Sequence, residues 1–202
     1  MIVVGLTGSI AMGKSETAKL FAARGIPVFD SDAAVHALYA KGGEAVGPVS
    51  ALAPSAIERG SVNRVKLAAL VQAEPDLLKK IEAAVHPMVK AKQQAFLSKA
   101  RASLAEIVVL DIPLLFETQR AGEVDVIVVV SAAPAVQRQR ALARPGMTAE
   151  KLNFILARQV ADSEKRARAD YVIDTSVSLE ETAKEVDRVI VALKKEHSGA
   201  ST

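Results

Sequence analysis

Ile2-Val3-Val4-Gly5-Leu6-Thr7-Gly8-Ser9-Ile10-Ala11-Met12-Gly13-Lys14-Ser15 begins as a β-branched apolar run and closes on a lysine and a hydroxyl. Its first part, Ile2 to Leu6, is apolar at odd and even positions alike, the pattern of a parallel strand buried on both faces. Its second part, Gly8 to Ser15, fits G-x-x-x-x-G-K-[ST] in full. Glycines at these spacings let backbone N–H groups turn inward around phosphate oxygens, and the helix predicted over Lys14 to Ala23 adds the partial positive charge of its N-terminus. An ordinary glycine-rich turn is the alternative, but the strand, loop and helix follow one another in the order a phosphate site needs. Lys14 is placed to reach the β- and γ-phosphates, and the Ser15 hydroxyl to ligate Mg²⁺.

Outward from this loop the chain alternates strand and helix. A short strand from Pro27 to Phe29 leads to Asp30 and Asp32, then to a helix from Ala33 to Ala40. Residues 42–63 carry Gly42, Gly43, Gly47, Pro48, Pro54 and Gly60 and read as irregular. From Arg64 to Ala102 the pattern is helical in about three pieces, with breaks expected at Pro75 and at His86-Pro87. Near-continuous apolar strands follow at Glu106 to Leu110 and Val124 to Val130. A helix over Ala135 to Ala143, a polar helical stretch from Thr148 to Arg168, a strand at Tyr171 to Ile173 and a helix from Leu179 to about Lys195 complete the pattern. The tail from His197 to Thr202 is expected to fray. This order is that of an α/β fold with a parallel sheet covered on both faces and a helical insertion.

Composition narrows the chemistry. Of 202 residues, 50% are hydrophobic, enough for a real core. The formal charge of +3 is too small for a polybasic surface, and 3% aromatics without tryptophan leaves no stacking platform, so nucleic acid is not the expected partner. With no cysteine there is no disulfide or thiolate site, and the three histidines His36, His86 and His197 are far apart, which disfavours zinc. No uninterrupted apolar stretch reaches membrane-spanning length and no basic leader precedes the first strand, so no membrane partner and a cytoplasmic location are expected.

Phosphate loops serve many activities. A guanine-nucleotide switch would carry Asp-x-x-Gly and Asn/Thr-Lys-x-Asp, and neither string occurs. ATP is therefore the expected nucleotide. Asp30 and Asp32 lie at the carboxyl end of a strand, where ligands bind in open parallel sheets; either could cap the next helix or orient a nucleophile. Asp111 ends a strand, as a metal-holding acid does, and Glu117 could be a solvated loop residue. Arg138, Arg140, Arg144, Arg158, Arg166 and Arg168 form a solvated face, from which one or two could meet charge on a transferred phosphoryl group. His86 either starts a helix or hydrogen-bonds an acceptor phosphate.

Taken together, these residues resemble the dephospho-coenzyme A kinase family from Val4 to about Ile190. The resemblance rests on Gly5-Leu6-Thr7-Gly8 with the phosphate loop, Asp30-Ser31-Asp32, Asn63-Arg64, His86-Pro87, Ile112 to Glu117, the Arg140 to Gln159 segment and Ala169 to Asp174. It implies a P-loop nucleoside-triphosphate-hydrolase-type core with a five-stranded parallel sheet flanked by helices, an inserted helical acceptor domain and a lid. The core would cover about 1–31, 104–140 and 169–196, the insertion about 32–103 and the lid about 141–168.

The implied reaction is ATP- and Mg²⁺-dependent phosphorylation of the ribose 3′-hydroxyl of dephospho-CoA, by a monomer. Asp32, Lys14 and Arg140 take the catalytic positions. Gly8, Ala11, Met12, Gly13, Lys14, Ser15, Glu16, Arg140 and Arg144 take the ATP side, with Ser15 on the metal. Asp32, Arg64, His86, Pro113, Leu114, Leu115 and Glu117 take the acceptor side. A kinase of another small acceptor such as a nucleoside monophosphate, or a non-catalytic ATP-binding module, are the alternative readings. Ser9, Ala11 and Met12 replace residues that are usually small in the family, and Ala11 and Met12 are expected to hold negative φ. Pro145 stands where an aspartate is usual, and Thr175 where asparagine is frequent.

Overall fold

A computed structural model describes residues 1–199, with side chains through Lys195. In chain order the elements are β1 (Ile2–Thr7), α1 (Lys14–Ala23), β2 (Val28–Asp30), α2 (Ser31–Tyr39), α3 (Val46–Leu52), β3 (Ile57–Glu58), β4 (Ser61–Val62), α4 (Arg64–Ala73) and α5 (Pro75–Ala102). The second half adds β5 (Ile107–Asp111), β6 (Val126–Ser131), α6 (Pro134–Leu142), α7 (Ala149–Leu156), α8 (Asp162–Ala167), β7 (Tyr171–Asp174) and α9 (Leu179–Gly199). Two compact units result, one of residues 1–29 and 100 onward, the other Asp30–Lys99.

The first unit is built on a five-stranded parallel sheet in the order β2-β5-β1-β6-β7. β1 sits at its centre, in register with β5 on one side (Val4 opposite Val109) and β6 on the other (Val4 opposite Val126). From Val3 onward every β1 residue is buried, as a strand covered on both faces requires. Phe21 of α1 and Val186, Val189 and Leu193 of α9 pack with Val4, Leu6, Ile107, Val109, Val128, Val130 and Ile173 in one core. Each such side chain contributes about 1.5–3 kcal/mol by leaving water. A capping box starts α9: Ser178 Oγ accepts the Glu181 N–H, and Glu181 Oε2 accepts the Ser178 N–H. α9 runs on to Gly199, so the backbone of the expected frayed tail is helical as far as that residue; 200–202 lie outside the described residues.

The second unit packs Leu38, Val49, Val62, Leu67, Leu77, Ile81 and Val85 into a core of its own. Asn63 starts α4 by accepting the Val65 and Lys66 N–H groups. Two expectations fail. The stretch 42–63 holds a helix and the β3–β4 hairpin, whose turn places Arg59 and Gly60 at φ 50° and 81°. The break expected at His86-Pro87 is absent, because α5 runs through Pro87 for 28 residues. Pro87 and Ala83, whose carbonyl loses its partner, are both exposed, so water can serve that oxygen, while Ile81 and Val85 before the proline and Met88 and Val89 after it pack on the same core. In the first unit the helical stretch expected from Thr148 to Arg168 is present as two helices, α7 and α8.

Candidate active site

The loop between β1 and α1 is shaped by contacts at nearly every residue. A Cβ at Gly8 would lie 2.6 Å from the Val130 carbonyl oxygen, so only glycine lets the chain leave β1 this close to β6. Gly13 caps α1 at φ 85° and lies against Thr175. Ala11 has φ 61°, contrary to the negative value expected, since the loop needs a left-handed residue here whatever the side chain. Its methyl is buried against Ala141 of α6 and Leu152 of α7, contacts a glycine would forgo.

Met12 is buried, and its Sδ accepts the Ala132 N–H at 3.0 Å. The Ile10 peptide is held from both sides: its N–H donates to Gln159 Oε1 at 3.1 Å, and its carbonyl accepts from Gln137 Nε2 at 2.9 Å. Each glutamine is more than a hundred residues away in sequence; Gln159 closes the Arg140 to Gln159 segment that the resemblance rests on, while no signal pointed to Gln137.

The Lys14 ammonium pairs with Asp111 at the end of β5, whose side chain is 5% exposed. Ser15 and Glu16 are exposed in the first turn of α1, where the Glu16 N–H donates to the Gly13 carbonyl at 3.1 Å. Glu16 pairs with Lys19 at 2.8 Å. Beside this turn lies a cleft of about 240 Å³ lined by Ala11, Gly13, Glu16, Thr17, Arg140, Arg144 and Thr175, with Val177, Leu179 and Thr182 as its more apolar part. Two guanidiniums at a helix N-terminus suit a polyphosphate, and the apolar part suits a flat base. A serine hydroxyl and a carboxylate are hard oxygen donors, which fits Mg²⁺ completed by phosphate oxygens and water.

Of the other arginines, Arg158 stacks on Phe154 at 3.4 Å, and Arg168 stacks on Phe116 at 4.3 Å and pairs with Glu164. Arg166 lines a different cavity with Asp162 and Asp174.

After β5, Pro113 accepts the Thr7 hydroxyl through its carbonyl, Leu115 and Phe116 are buried, and Leu114 is exposed. Glu117 is engaged inside the unit. Its Oε1 lies 2.8 Å from the fully buried Lys165 Nζ and accepts the Val160 N–H at 2.9 Å. Burial alone would raise its pKa, but the hydrogen bonds from Lys165 and from backbone N–H groups outweigh this and hold the carboxyl below the usual range.

In the second unit, Asp30 accepts the Ala33 N–H at 2.9 Å and is the cap of α2. Asp32 is exposed in the first turn of α2 and does not cap it. Arg64 and His86 line one pocket of about 380 Å³, otherwise mostly apolar, with Tyr39, Leu67, Val71, Ile81 and Val85. Burial pushes the Tyr39 phenol up, against the opposing pull of Arg64. Among the described residues no group of three or more His, Asp or Glu could hold a metal, and no helix is long and apolar enough to cross a membrane.

Comparison with known proteins decides among P-loop activities. The family model for dephospho-CoA kinase matches residues 2–181. The chain belongs to the dephospho-CoA kinase family. It is 55% identical over 194 residues to the dephospho-CoA kinase of Mesorhizobium japonicum, covering 96% of this chain and 98% of that one. A crystal structure of a Thermus thermophilus protein matches with TM-score 0.82 at 34% identity, over 95% of this chain and 96% of the other. The dephospho-CoA kinase of Campylobacter jejuni shares the fold, with TM-score 0.71 at 22% identity over 96% and 98% of the two chains. This member of the dephospho-CoA kinase family is thus a phosphotransferase of the last step of coenzyme A synthesis.

Proposed function

We propose that the cleft beside the phosphate loop binds ATP with Mg²⁺ and that its γ-phosphoryl group passes to the ribose 3′-hydroxyl of dephospho-CoA. The observation that carries this reading is the wall shared by Arg140, Arg144 and the Ala11–Gly13 segment, beside the start of α1. Backbone N–H groups of Gly13 to Ser15 receive the β-phosphate, those of Ile10 and Met12 being held by Gln159 and by the Ser9 carbonyl. Lys14 exchanges Asp111 for phosphate oxygens, and Arg140 and Arg144 meet the charge that spreads over the oxygens in flight. Ser15 would hold Mg²⁺, which would supply neutralisation of phosphate charge.

Asp32 orients the acceptor. As O3′ bonds to the γ-phosphorus and the bond to the bridging β–γ oxygen breaks, the hydroxyl proton passes to the Asp32 carboxylate and ADP leaves. Arg64 and His86 supply cationic and hydrogen-bonding contacts to acceptor phosphates, and the apolar remainder of their pocket takes uncharged parts of the acceptor. Pro113, Leu114 and Leu115 form the acceptor edge after β5, with Glu117 bracing it. In this reading residues about 32–103 are the acceptor insertion, about 141–168 the lid, and the rest the core. The enzyme works as a cytoplasmic monomer, which its lack of cysteine permits.

The test is ADP release with ATP and Mg²⁺, comparing dephospho-CoA, AMP and no acceptor, with the product identified by mass. Dephospho-CoA that gains one phosphate while AMP stays inert supports the reading. Measurable ATP binding with no transfer to dephospho-CoA refutes it.

A further inference from the structure

Thr175, the residue after β7, is 5% exposed and carries one hydroxyl proton. Its Oγ1 lies 2.8 Å from the Met12 carbonyl oxygen and 3.3 Å from that of Ser131, so the shorter contact, to the phosphate loop, takes the proton. The same Oγ1 accepts Arg140 Nη1 at 3.1 Å, and the Thr175 carbonyl accepts Nη2 at 2.7 Å. Its Cβ and Cγ2 lie against Gly13, 3.2 Å from where a side chain there would begin.

One residue therefore touches the loop's backbone, its left-handed glycine and the guanidinium on the cleft wall. A guanidinium held at both Nη atoms is fixed in plane as well as in place. Two of its five N–H donors are used, leaving three for phosphate oxygens.

We infer that Thr175 is a positioning residue for Arg140, tying the orientation of the guanidinium to the shape of the phosphate loop. The inference rests on the assignment of Arg140 to the phosphoryl group made above. Its chemical requirement is an atom that donates to Met12 while accepting from Arg140, which serine retains and valine lacks. Orientation matters most when charge develops, so the loss belongs in kcat rather than in ATP binding.

The experiment is a double-mutant cycle. Initial rates with ATP, Mg²⁺ and dephospho-CoA are measured for the parent, Thr175→Val, Thr175→Ser, Arg140→Ala and the Arg140→Ala/Thr175→Val double variant. Thr175→Val should lower kcat about tenfold, the size of one hydrogen bond to a charged group, while the KM for ATP changes less than about twofold. Thr175→Ser should restore kcat to within about threefold of the parent. In the Arg140→Ala background the valine substitution should change kcat by less than about twofold, because the group it positions is gone.

An equal valine effect in both backgrounds overturns the inference, since the residue would then act through the loop alone. A valine variant with parental kcat also overturns it. Arg140→Ala with parental kcat would instead refute the assignment of Arg140. If Thr175→Val does not fold, Thr175→Ala carries the same comparison.

Discussion

Replacing Lys165 by methionine tests how the segment after β5 is held to the start of α8. The substitution keeps the length of the buried stem and deletes the ammonium. Lys165 is 0% exposed, Glu117 12%, and they meet at 2.8 Å. Removing one member of a buried pair costs about 3–5 kcal/mol when the remaining charge is left with nothing. Here Glu117 keeps the Val160 N–H, which moves the expected loss to about 2–3 kcal/mol, or roughly 5–10 °C in Tm for a chain of this size.

Glu117→Gln should cost more, about 3–5 kcal/mol, because the charge it strands is the fully buried one. The double variant faces an amide with a thioether and should lose at least about 1 kcal/mol less than the two single losses combined. Thermal and urea unfolding at neutral pH give all three values. A Lys165→Met variant within about 1 kcal/mol of the parent, or a double variant whose losses simply add, refutes the reasoning.

The pair also sets a pH dependence. Because the Glu117 carboxyl titrates below its unfolded value, the unfolded chain binds more protons in the interval between the two. Stability from the pair is therefore complete above the ordinary glutamate value of about 4.3 and is lost as pH falls through the depressed one. Lys165→Met should flatten that acid limb.

Ala11→Gly relieves about 1–2 kcal/mol of left-handed strain but gives up a buried methyl worth about 0.8 kcal/mol and frees the unfolded chain by up to about 1 kcal/mol, so stability should move by less than about 1 kcal/mol. Ala11→Val, β-branched at φ 61°, should lose more than about 2 kcal/mol in the same assay, and a valine variant as stable as the parent contradicts the left-handed backbone. Lys14→Ala should cut turnover about a hundredfold or more while the far-ultraviolet dichroism stays unchanged; near-parental turnover would remove Lys14 from the chemistry. Asp32→Asn should lower kcat more than it raises the KM for the acceptor, and a change confined to KM would make Asp32 a binding residue.

The legible parts of the chain were those in which neighbours in sequence carry the information. The phosphate loop, the apolar runs of β5 and β6 and the cap offered by Asp30 act within a few positions. Pro87 misled because the rule for proline is local, whereas the stripe that carries α5 through it is packed over many turns. The β3–β4 hairpin was invisible because two-residue strands have no period to read.

In the candidate site, Lys14 and Arg140 were singled out by motif and resemblance. Gln137 and Lys165 were not, and Gln159 entered only as the end of the Arg140 to Gln159 segment, since a glutamine or lysine in a polar helical stretch looks like surface until its distant partner is known. Ala11 was noticed as a departure, but its φ is set by the loop and by contacts with α6 and α7 rather than by its own preference.

The central place of β1 also has a bearing on synthesis. Val3 and its partner Asp125 are 122 positions apart, and both neighbours of β1 come from the second half of the chain. At about 5–20 residues per second, roughly 6–24 s pass on the ribosome before β6 follows β1. During that interval an apolar strand with two unpaired edges waits beside a loop whose glutamine braces have not been made. The second unit, closed by contacts within Asp30–Lys99, has no such wait. β1 is therefore translated well before it can be assembled, and the nascent chain most needs shielding at the segment that leads into the phosphate loop.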